Sequence, residues 1–330
     1  MSNEVRASTA PRLSIGLPVY NGEDYLAESL EALLGQTYED FELIISDNAS
    51  TDGTTDICRR YARQDSRIRY FRQSRNLGCN PNHNFVIEQA RGELFKLASD
   101  DDLYARDLLK RCVDVLDECP RYVLVHSWSA LIDASGAVTN MVEYPVATDA
   151  PRAPDRFRSM LFDGWGDDDG GVIRTSVLRR VAPWDSYHFA DRVFVTELGL
   201  HGPFYQVPDW LYFRRQHPQQ AGMNTRNMRD RCAALDPSRA NRLRHPAVRL
   251  YGEYLLGYVG AIRRAPLSPA DRKECYRHLA TWVASRALPV AGRVISRSGL
   301  QNFGTGATAL ADPIDISVDA LVAGRVGEHS

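Results

Sequence analysis

The sequence predicts an α/β fold built on a mostly parallel sheet flanked by helices, with a helical C-terminal appendage. Three observations predict it. Short apolar runs of strand length alternate with helical periodicity from residue 13 to residue 127. Polar clusters directly follow three of those runs, and from residue 226 the pattern is helical. Alternating strands and helices are typical of βαβ units, whose strands pair in parallel beneath the helices.

The first half of the chain predicts five strands and four helices. The strands are apolar runs at residues 13–19, 41–46, 68–71, 94–98 and 122–127. Helical spacing of apolar residues covers 23–34, 52–64, 82–90 and 104–118. Further along, 172–181 fits a short strand and helix, and 204–213 fits a strand. One C-terminal helix is predicted to bury a face formed by Val248, Tyr251, Leu255 and Val259.

The net charge is −2, but basic and acidic residues are unevenly distributed along the chain. Residues 226–299 contain 15 Arg and Lys against 5 Asp and Glu, so the rest of the chain is acidic. A basic helical surface is most often only solvated, but it also suits an anionic partner or a membrane surface. Peripheral membrane contact and a homodimer through this region both stay open.

The cysteine pattern and the apolar runs bear on the compartment. The six cysteines form no Cys-x-x-Cys pair, which predicts reduced thiols. Residues 1–12 are polar and lack the apolar core of a signal peptide. A membrane-spanning run of about 18 apolar residues is not found. The predicted location is therefore the cytoplasm, with the inner face of the membrane as the alternative.

The three polar clusters lie at 18–21, 47–54 and 100–102. Ligands of parallel sheets bind beyond the carboxyl ends of the strands, so we expect these clusters to form one site. The adjacent Asp100, Asp101 and Asp102 repel one another unless a cation is near. Carboxylates suit Mg²⁺ or Mn²⁺, which can hold a diphosphate. Capping of the next helix is the alternative, but it explains one aspartate better than three.

Four motifs carry a family resemblance. "LPVYN", "QTYEDFELIISDNASTDGT", "NLG" and "GELFKLASDDD" resemble family 2 glycosyltransferases of the GT-A fold, in order and in spacing. The likeness is strong over 13–133 and weaker to about residue 220. It implies a catalytic domain over 1–225, with a nucleotide-binding half at about 12–133 and an acceptor half at about 134–225. Residues 226–330 are predicted to be a helical C-terminal region with a loosely ordered tail after residue 298.

The resemblance also implies site residues. It implies a nucleotide-sugar pocket lined by Pro18, Tyr20, Glu23, Asp47, Asn48, Asn76, Asp100 and Asp101. It implies a Mn²⁺ or Mg²⁺ ion held by Asp101, Asp102 and His217. The frame of the family's Asp-x-Asp motif is ambiguous, because Ser99 stands where many relatives have the first aspartate. Arg214 or Arg215 is an alternative contact to the diphosphate.

An inverting transfer needs a general base that takes the proton of the acceptor hydroxyl. The family supplies a carboxylate near the start of a later helix, which nominates Asp191 in "FADRVF". The rivals are Asp185 and the aspartates of 167–169, and helix capping is the structural alternative.

The implied function is an inverting transfer of sugar from a nucleotide-diphosphate sugar, a UDP-sugar being favoured, in bacterial glycan or glycoconjugate biosynthesis. The acceptor is a glycan, a lipid-linked glycan or a small molecule, and no nucleic acid partner is predicted. The alternative function is a catalytically silent nucleotide-sugar-binding scaffold. A dehydrogenase is excluded because no Gly-x-Gly-x-x-Gly follows the first strand.

Overall fold

The computed structural model describes residues 10–143, 146–163, 170–187, 189–218, 220, 228–241 and 243–287. Its strands are β1 Leu13–Val19, β2 Phe41–Asp47, β3 Ile68–Arg72, β4 Leu94–Leu97, β5 Leu103–Tyr104, β6 Leu124–Ile132, β7 Val138–Val142, β8 Val172–Arg174 and β9 Phe204–Arg215. Its helices are α1 Leu26–Leu34, α2 Thr54–Gln64, α3 Cys79–Glu88, α4 Leu108–Glu118, α5 Ala153–Phe162, α6 Thr175–Leu178, α7 Ala190–His201, α8 Met228–Leu235, α9 Ala247–Arg264 and α10 Pro269–Ala287.

One sheet organises the described chain, in the strand order β3-β2-β1-β4-β8-β6-β9-β5. The first four strands in this order pair in parallel, as the alternating pattern predicts. Beyond them β8 is antiparallel to β4 and β6, while β9 runs parallel to β6. The predicted α/β class with a mostly parallel sheet and helices on its faces is confirmed.

Both faces of the sheet are covered, because the strands are apolar on both sides. Leu13, Ile15 and Leu17 of β1 pack into one cluster with α1 and α4. Ile44 of β2 and Phe95 of β4 face the other side and pack with α3, α6 and α7. The carboxyl ends of the parallel strands therefore open at one edge between two layers of helices.

The C-terminal helices share a core with helices of the first part of the chain. Tyr258 of α9 and Trp282 of α10 pack with Phe157 of α5 and Val193 of α7. This confirms a helical C-terminal region and shows what it rests on. The domain division at residue 225 stays a prediction. Within the described ranges, every helix is too short or too polar to cross a membrane.

Three expectations about elements need correction. The strands β5 and β7 and the helix α5 were not predicted. The helix expected from residue 104 begins at Leu108, because Leu103 and Tyr104 pair with β9. The buried face of α9 carries Leu250, Tyr258, Ala261 and Ile262. Of the predicted face, Val259 packs against this core and Leu255 is exposed, while the side chains of Val248 and Tyr251 lie outside those described.

Candidate active site

The loops after β1 and β2 are bonded into one surface. Asn21 Oδ1 accepts the backbone N–H of Thr51 at 2.9 Å. Glu23 Oε2 accepts the N–H of Gly53 at 2.6 Å, just before α2 begins. The first two predicted polar clusters therefore lie together, and the carboxylate of Glu23 joins them.

Asp47 ends β2 and is fully buried. Its Oδ1 accepts the N–H of Ser50 at 2.8 Å, and its Oδ2 accepts the hydroxyls of Thr55 at 2.7 Å and Tyr70 at 2.9 Å. Burial raises the pKa of Asp47, but these hydrogen bonds outweigh it and hold the pKa below its usual value. The carboxylate therefore organises the loop after β2, and its contact with a nucleoside stays a prediction.

Asn48 and Asn76 connect that loop to the start of α3. The Asn48 amide donates to Asn76 Oδ1 at 3.0 Å, and Asn48 Oδ1 accepts the N–H of Leu77 at 2.8 Å. Pro18 lies within β1 on the same edge. Tyr20 is 47% exposed, so its ring is available to stack on a base.

The acidic loop after β4 is held by β9. Asp102 is 3% exposed, and its Oδ1 accepts the N–H of Arg215 at 2.9 Å. Its Oδ2 accepts the hydroxyl of Tyr212 at 2.5 Å. Both oxygens of Asp102 are thus engaged by β9. Burial and the charge of Asp101 raise the pKa of Asp102 to about 7.

Asp101 faces His217, which lies two residues beyond the end of β9. Its Oδ2 is 3.0 Å from His217 Nε2, and its Oδ1 accepts the Ser99 hydroxyl. The His217 ring packs on Tyr25 with a centroid distance of 4.7 Å. The two predicted metal ligands Asp101 and His217 are therefore in contact, whereas Asp102 turns toward β9. This geometry favours Asp101 over Asp102 as the ligand.

Asp100 lies against the loop after β1, since a Cβ placed on Gly22 would overlap its Oδ2. Burial, together with the charges of Asp101 and Asp102, raises the pKa of Asp100 to about 8. The crowded carboxylates therefore oppose one another's ionisation. The capping alternative is wrong, because α4 begins at Leu108, well beyond the acidic loop.

Arg215 is a structural residue, which corrects its proposed contact with phosphate. It is 1% exposed, and its guanidinium donates to the Asp101 carbonyl at 2.9 Å and to Glu28 Oε2 at 2.6 Å. A third bond goes to the carbonyl of Ala134 at 3.1 Å. Arg214 is the remaining candidate of this pair, and its charge acts on Asp102.

Asp191 lies in the first turn of α7, and the capping position is Phe189. Phe189 has φ of 62°, a left-handed conformation rare for a bulky residue, and the Arg192 guanidinium lies 4.6 Å from its ring centroid. Burial raises the pKa of Asp191, while the charges of Arg192 and Arg231 oppose that rise.

The start of α3 contacts both the loop after β2 and the segment before α7. Asn48 donates its side-chain amide to the carbonyl of Gly78 at 3.1 Å, and Asn84 of α3 exchanges two hydrogen bonds with the backbone of Trp184 at 2.8 and 2.9 Å. Burial raises the pKa of Cys79, the first residue of α3, to about 12, and the charges of Asp100 and Asp191 add to the rise. The helix α3 therefore links the edge of the sheet to the segment that leads into Asp191.

The other candidates for the general base lie in different surroundings from Asp191. Asp185 forms an ion pair with Arg239 at 2.7 Å, which engages its carboxylate. The aspartates at 167–169 lie outside the described residues. A cluster of three or more His, Cys, Asp or Glu side chains that could hold a metal is not found within the described ranges.

Sequence reasoning missed Tyr212, which holds the acidic loop, and Cys79, and it assigned Arg215 to the diphosphate rather than to that loop. The holding role of Tyr212 and Arg215 has no local signal, since it depends on contacts across 110 or more positions in sequence. Cys79 carried no signal beyond its place after "NLG".

Comparison with known proteins decides the family. Residues 14–167 match the family model described as glycosyl transferase family 2. This segment is a family 2 glycosyltransferase domain. The predicted family is therefore confirmed, and the matched range contains the acidic loop and the loops after β1 and β2.

Curated relatives of this glycosyltransferase domain carry glycosyltransferase names. Glycosyltransferase GlyG of Streptococcus pneumoniae is 29% identical over 124 residues, which are 38% of this chain and 41% of the relative. An uncharacterized glycosyltransferase of Haemophilus influenzae is 31% identical over 132 residues, 40% of this chain and 52% of the relative. The chain thus spans about half or less of these relatives' lengths. The predicted class of enzyme agrees with these names.

A solved structure extends the likeness of fold beyond the matched segment. The structure of S. aureus TarS 1-349 in complex with UDP-GlcNAc has a TM-score of 0.61 and 19% identity, and the alignment covers 82% of this chain and 71% of that one. The complex of the same protein with UDP gives a TM-score of 0.58. At this identity the likeness shows the fold alone, which is of the predicted GT-A type.

Proposed function

We propose that the chain is an inverting glycosyltransferase that moves a sugar from a nucleotide-diphosphate sugar to an acceptor hydroxyl. The family of residues 14–167 supports this class of reaction. One observation supports the mechanism: hydrogen bonds join α3 both to the loop after β2, through Asn48 and Gly78, and to the segment before Asp191, through Asn84 and Trp184. We propose that the acidic loop binds the diphosphate and that Asp191 is the separate base beside it.

For the donor we favour a UDP-sugar. S. aureus TarS, which shares the fold, was solved in complex with UDP and with UDP-GlcNAc. In this chain the half-exposed ring of Tyr20 would stack on the base, and Asp47 and Asn48 shape the loops beside it. Bacterial glycan or glycoconjugate synthesis in the cytoplasm, with a glycan, lipid-linked or small-molecule acceptor, is the setting we propose.

A divalent cation fits the residues present. Asp101 Oδ2 and His217 Nε2 are 3.0 Å apart, so both could ligate one ion. Mg²⁺ and Mn²⁺ commonly use one or two protein ligands and complete their shell with phosphate oxygens and water. When bound, the ion would neutralise the diphosphate leaving group. Asp102 and Arg215 would hold the loop in place without ligating.

Asp191 is the general base of this proposal. The carboxylate would accept the proton of the acceptor hydroxyl as its oxygen attacks the anomeric carbon from the face opposite the diphosphate. Its raised pKa makes it a better proton acceptor than an ordinary carboxylate once it is ionised. The charges of Arg192 and Arg231 counter part of this rise.

Thermal unfolding with UDP, GDP and TDP, each with and without Mn²⁺, tests the donor part without an acceptor. A nucleotide at about 100 times its Kd should stabilise the fold by about 2.7 kcal/mol. Stabilisation by UDP that needs Mn²⁺ supports the proposal. Stabilisation by GDP or TDP instead would indicate a donor built on that nucleotide. No shift with any nucleotide would contradict it. Nucleotide binding without sugar transfer would favour the silent scaffold.

A further inference from the structure

A buried lysine lies in β4, the strand that leads into the acidic loop. Lys96 is 1% exposed, and its neighbours in the strand, Phe95 and Leu97, are apolar. Lysine is seldom buried to this extent, because removing an ammonium group from water is costly unless other groups compensate its charge. The groups that surround this ammonium therefore bear on the role of the residue.

The ammonium of Lys96 lies on a pair of stacked tyrosines. Its Nζ is 4.9 Å from the ring centroid of Tyr104 and 5.5 Å from that of Tyr212. The two rings are almost parallel, with centroids 5.6 Å apart. Nζ also donates to the carbonyl of Gly170, and a Cβ on that glycine would come within 3.2 Å of the Tyr212 ring. A cation this close to an aromatic ring is attracted to it, so Lys96 holds the tyrosine pair in place.

The same two tyrosines hold both ends of the acidic loop. The Tyr104 hydroxyl oxygen accepts the N–H of Ser99 at 2.8 Å, and the Tyr212 hydroxyl donates to Asp102 Oδ2 at 2.5 Å. Asp101, the proposed metal ligand, lies between these two anchored residues, and its Oδ1 accepts the Ser99 hydroxyl. A displacement of the tyrosine pair would therefore displace Asp101.

We propose that Lys96 is a positioning residue for the donor site. Its charge holds Tyr104 and Tyr212 together, and through them it sets the position of the acidic loop and of Asp101. This role rests on the proposed function, because it concerns how the diphosphate and its cation are bound. A residue with a purely structural role would change the stability of the fold and leave the affinity for UDP with Mn²⁺ unchanged.

Three substitutions of Lys96 test the proposal. Lys96→Met has a similar length and no charge, Lys96→Gln is also uncharged but can still donate a hydrogen bond, and Lys96→Arg keeps the charge. Without nucleotide, backbone hydrogen exchange over residues 99–102 should be at least about tenfold faster in the two uncharged variants. Their affinity for UDP with Mn²⁺ should fall at least about tenfold, and Lys96→Arg should recover most of it. Lys110→Met, which removes an exposed lysine paired with Asp114 on α4, is the control and should match the wild type in both measurements.

The two measurements separate this role from the proposed function. Unchanged exchange over residues 99–102 in a folded Lys96→Met or Lys96→Gln would overturn the role of Lys96. Faster exchange with unchanged affinity for UDP, in a wild type that binds it, would overturn that role as well. Faster exchange in the uncharged variants of a wild type that binds no nucleotide would overturn the proposed function alone.

Discussion

Asp101 Oδ2 and His217 Nε2 lie 3.0 Å apart, although the two residues are 116 positions apart in sequence. The contact depends on β9, whose residues Tyr212 and Arg215 hold Asp102 and so fix the acidic loop. A carboxylate and an imidazole in contact at the carboxyl end of a sheet are suited to share a divalent ion. The adjacent carboxylate of Asp102 instead accepts hydrogen bonds from β9 and holds the acidic loop in place.

Asp101→Asn and His217→Ala should each weaken the Mn²⁺-dependent part of UDP binding by at least about tenfold, since each removes a proposed ligand. Titration calorimetry with and without Mn²⁺ measures that part. Asp40→Asn changes an exposed aspartate just before β2, at the opposite end of that strand from Asp47, and is the control for lost charge. Unchanged Mn²⁺ dependence in both ligand variants would refute the assignment.

Asp191→Asn should lower kcat by about 10²–10⁴-fold with little change in donor affinity, because it removes a base and no donor contact. The base must be ionised, and burial raises its pKa. The wild-type kcat/KM should therefore fall as pH is lowered through a pKa above that of an ordinary aspartate. Asp185→Asn, which alters the ion-paired rival, should retain most activity. A fully active Asp191→Asn would place the base elsewhere.

Gly22→Ala should impair donor binding at least about tenfold while the protein stays folded. A Cβ at this position overlaps Asp100 Oδ2, so the Asp100 carboxylate must shift away from the loop after β1. The control is Gly252→Ala in α9, where a Cβ meets no atom within 4 Å. It should leave binding unchanged and add about 0.4–1 kcal/mol of stability. Equal donor affinity in both variants would contradict this packing.

Arg215→Met should lower the free energy of unfolding by about 1–3 kcal/mol, because it removes hydrogen bonds to three elements from a guanidinium in a residue that is 1% exposed. Chemical denaturation measures the loss. Glu28→Gln removes the charge of the most exposed of these partners and should cost far less. A small loss of stability in Arg215→Met, together with a loss of UDP binding, would instead indicate that Arg215 contacts the diphosphate.

The parallel half of the sheet could be predicted because β1, β2, β3 and β4 are apolar runs ended by turn residues. β5 has two residues and exists only through its pairing with β9, so no local pattern indicates it. The buried face of α9 was predicted only in part, since Val259 packs against the core whereas Leu255 is exposed, because apolar residues occur on several faces of this helix. Packing against α7 decides between them.

The site was predictable as a set of loops but not atom by atom. Asp100, Asp101 and Asp102 are equivalent by sequence, and hydrogen bonds from Tyr212 and Arg215 distinguish them. Arg215 was predicted to contact phosphate because it lies at the end of a strand. Its burial beside Glu28 could not be inferred, because Glu28 is far from it in sequence.

A crystal structure with UDP and Mn²⁺, measured at the manganese absorption edge, tests the central claim most directly. We predict one anomalous peak within coordination distance of both Asp101 and His217 and bridging to the diphosphate. UDP should lie along the loops after β1 and β2. UDP bound without the ion, or a peak at Asp102 with Asp101 and His217 uninvolved, would contradict it.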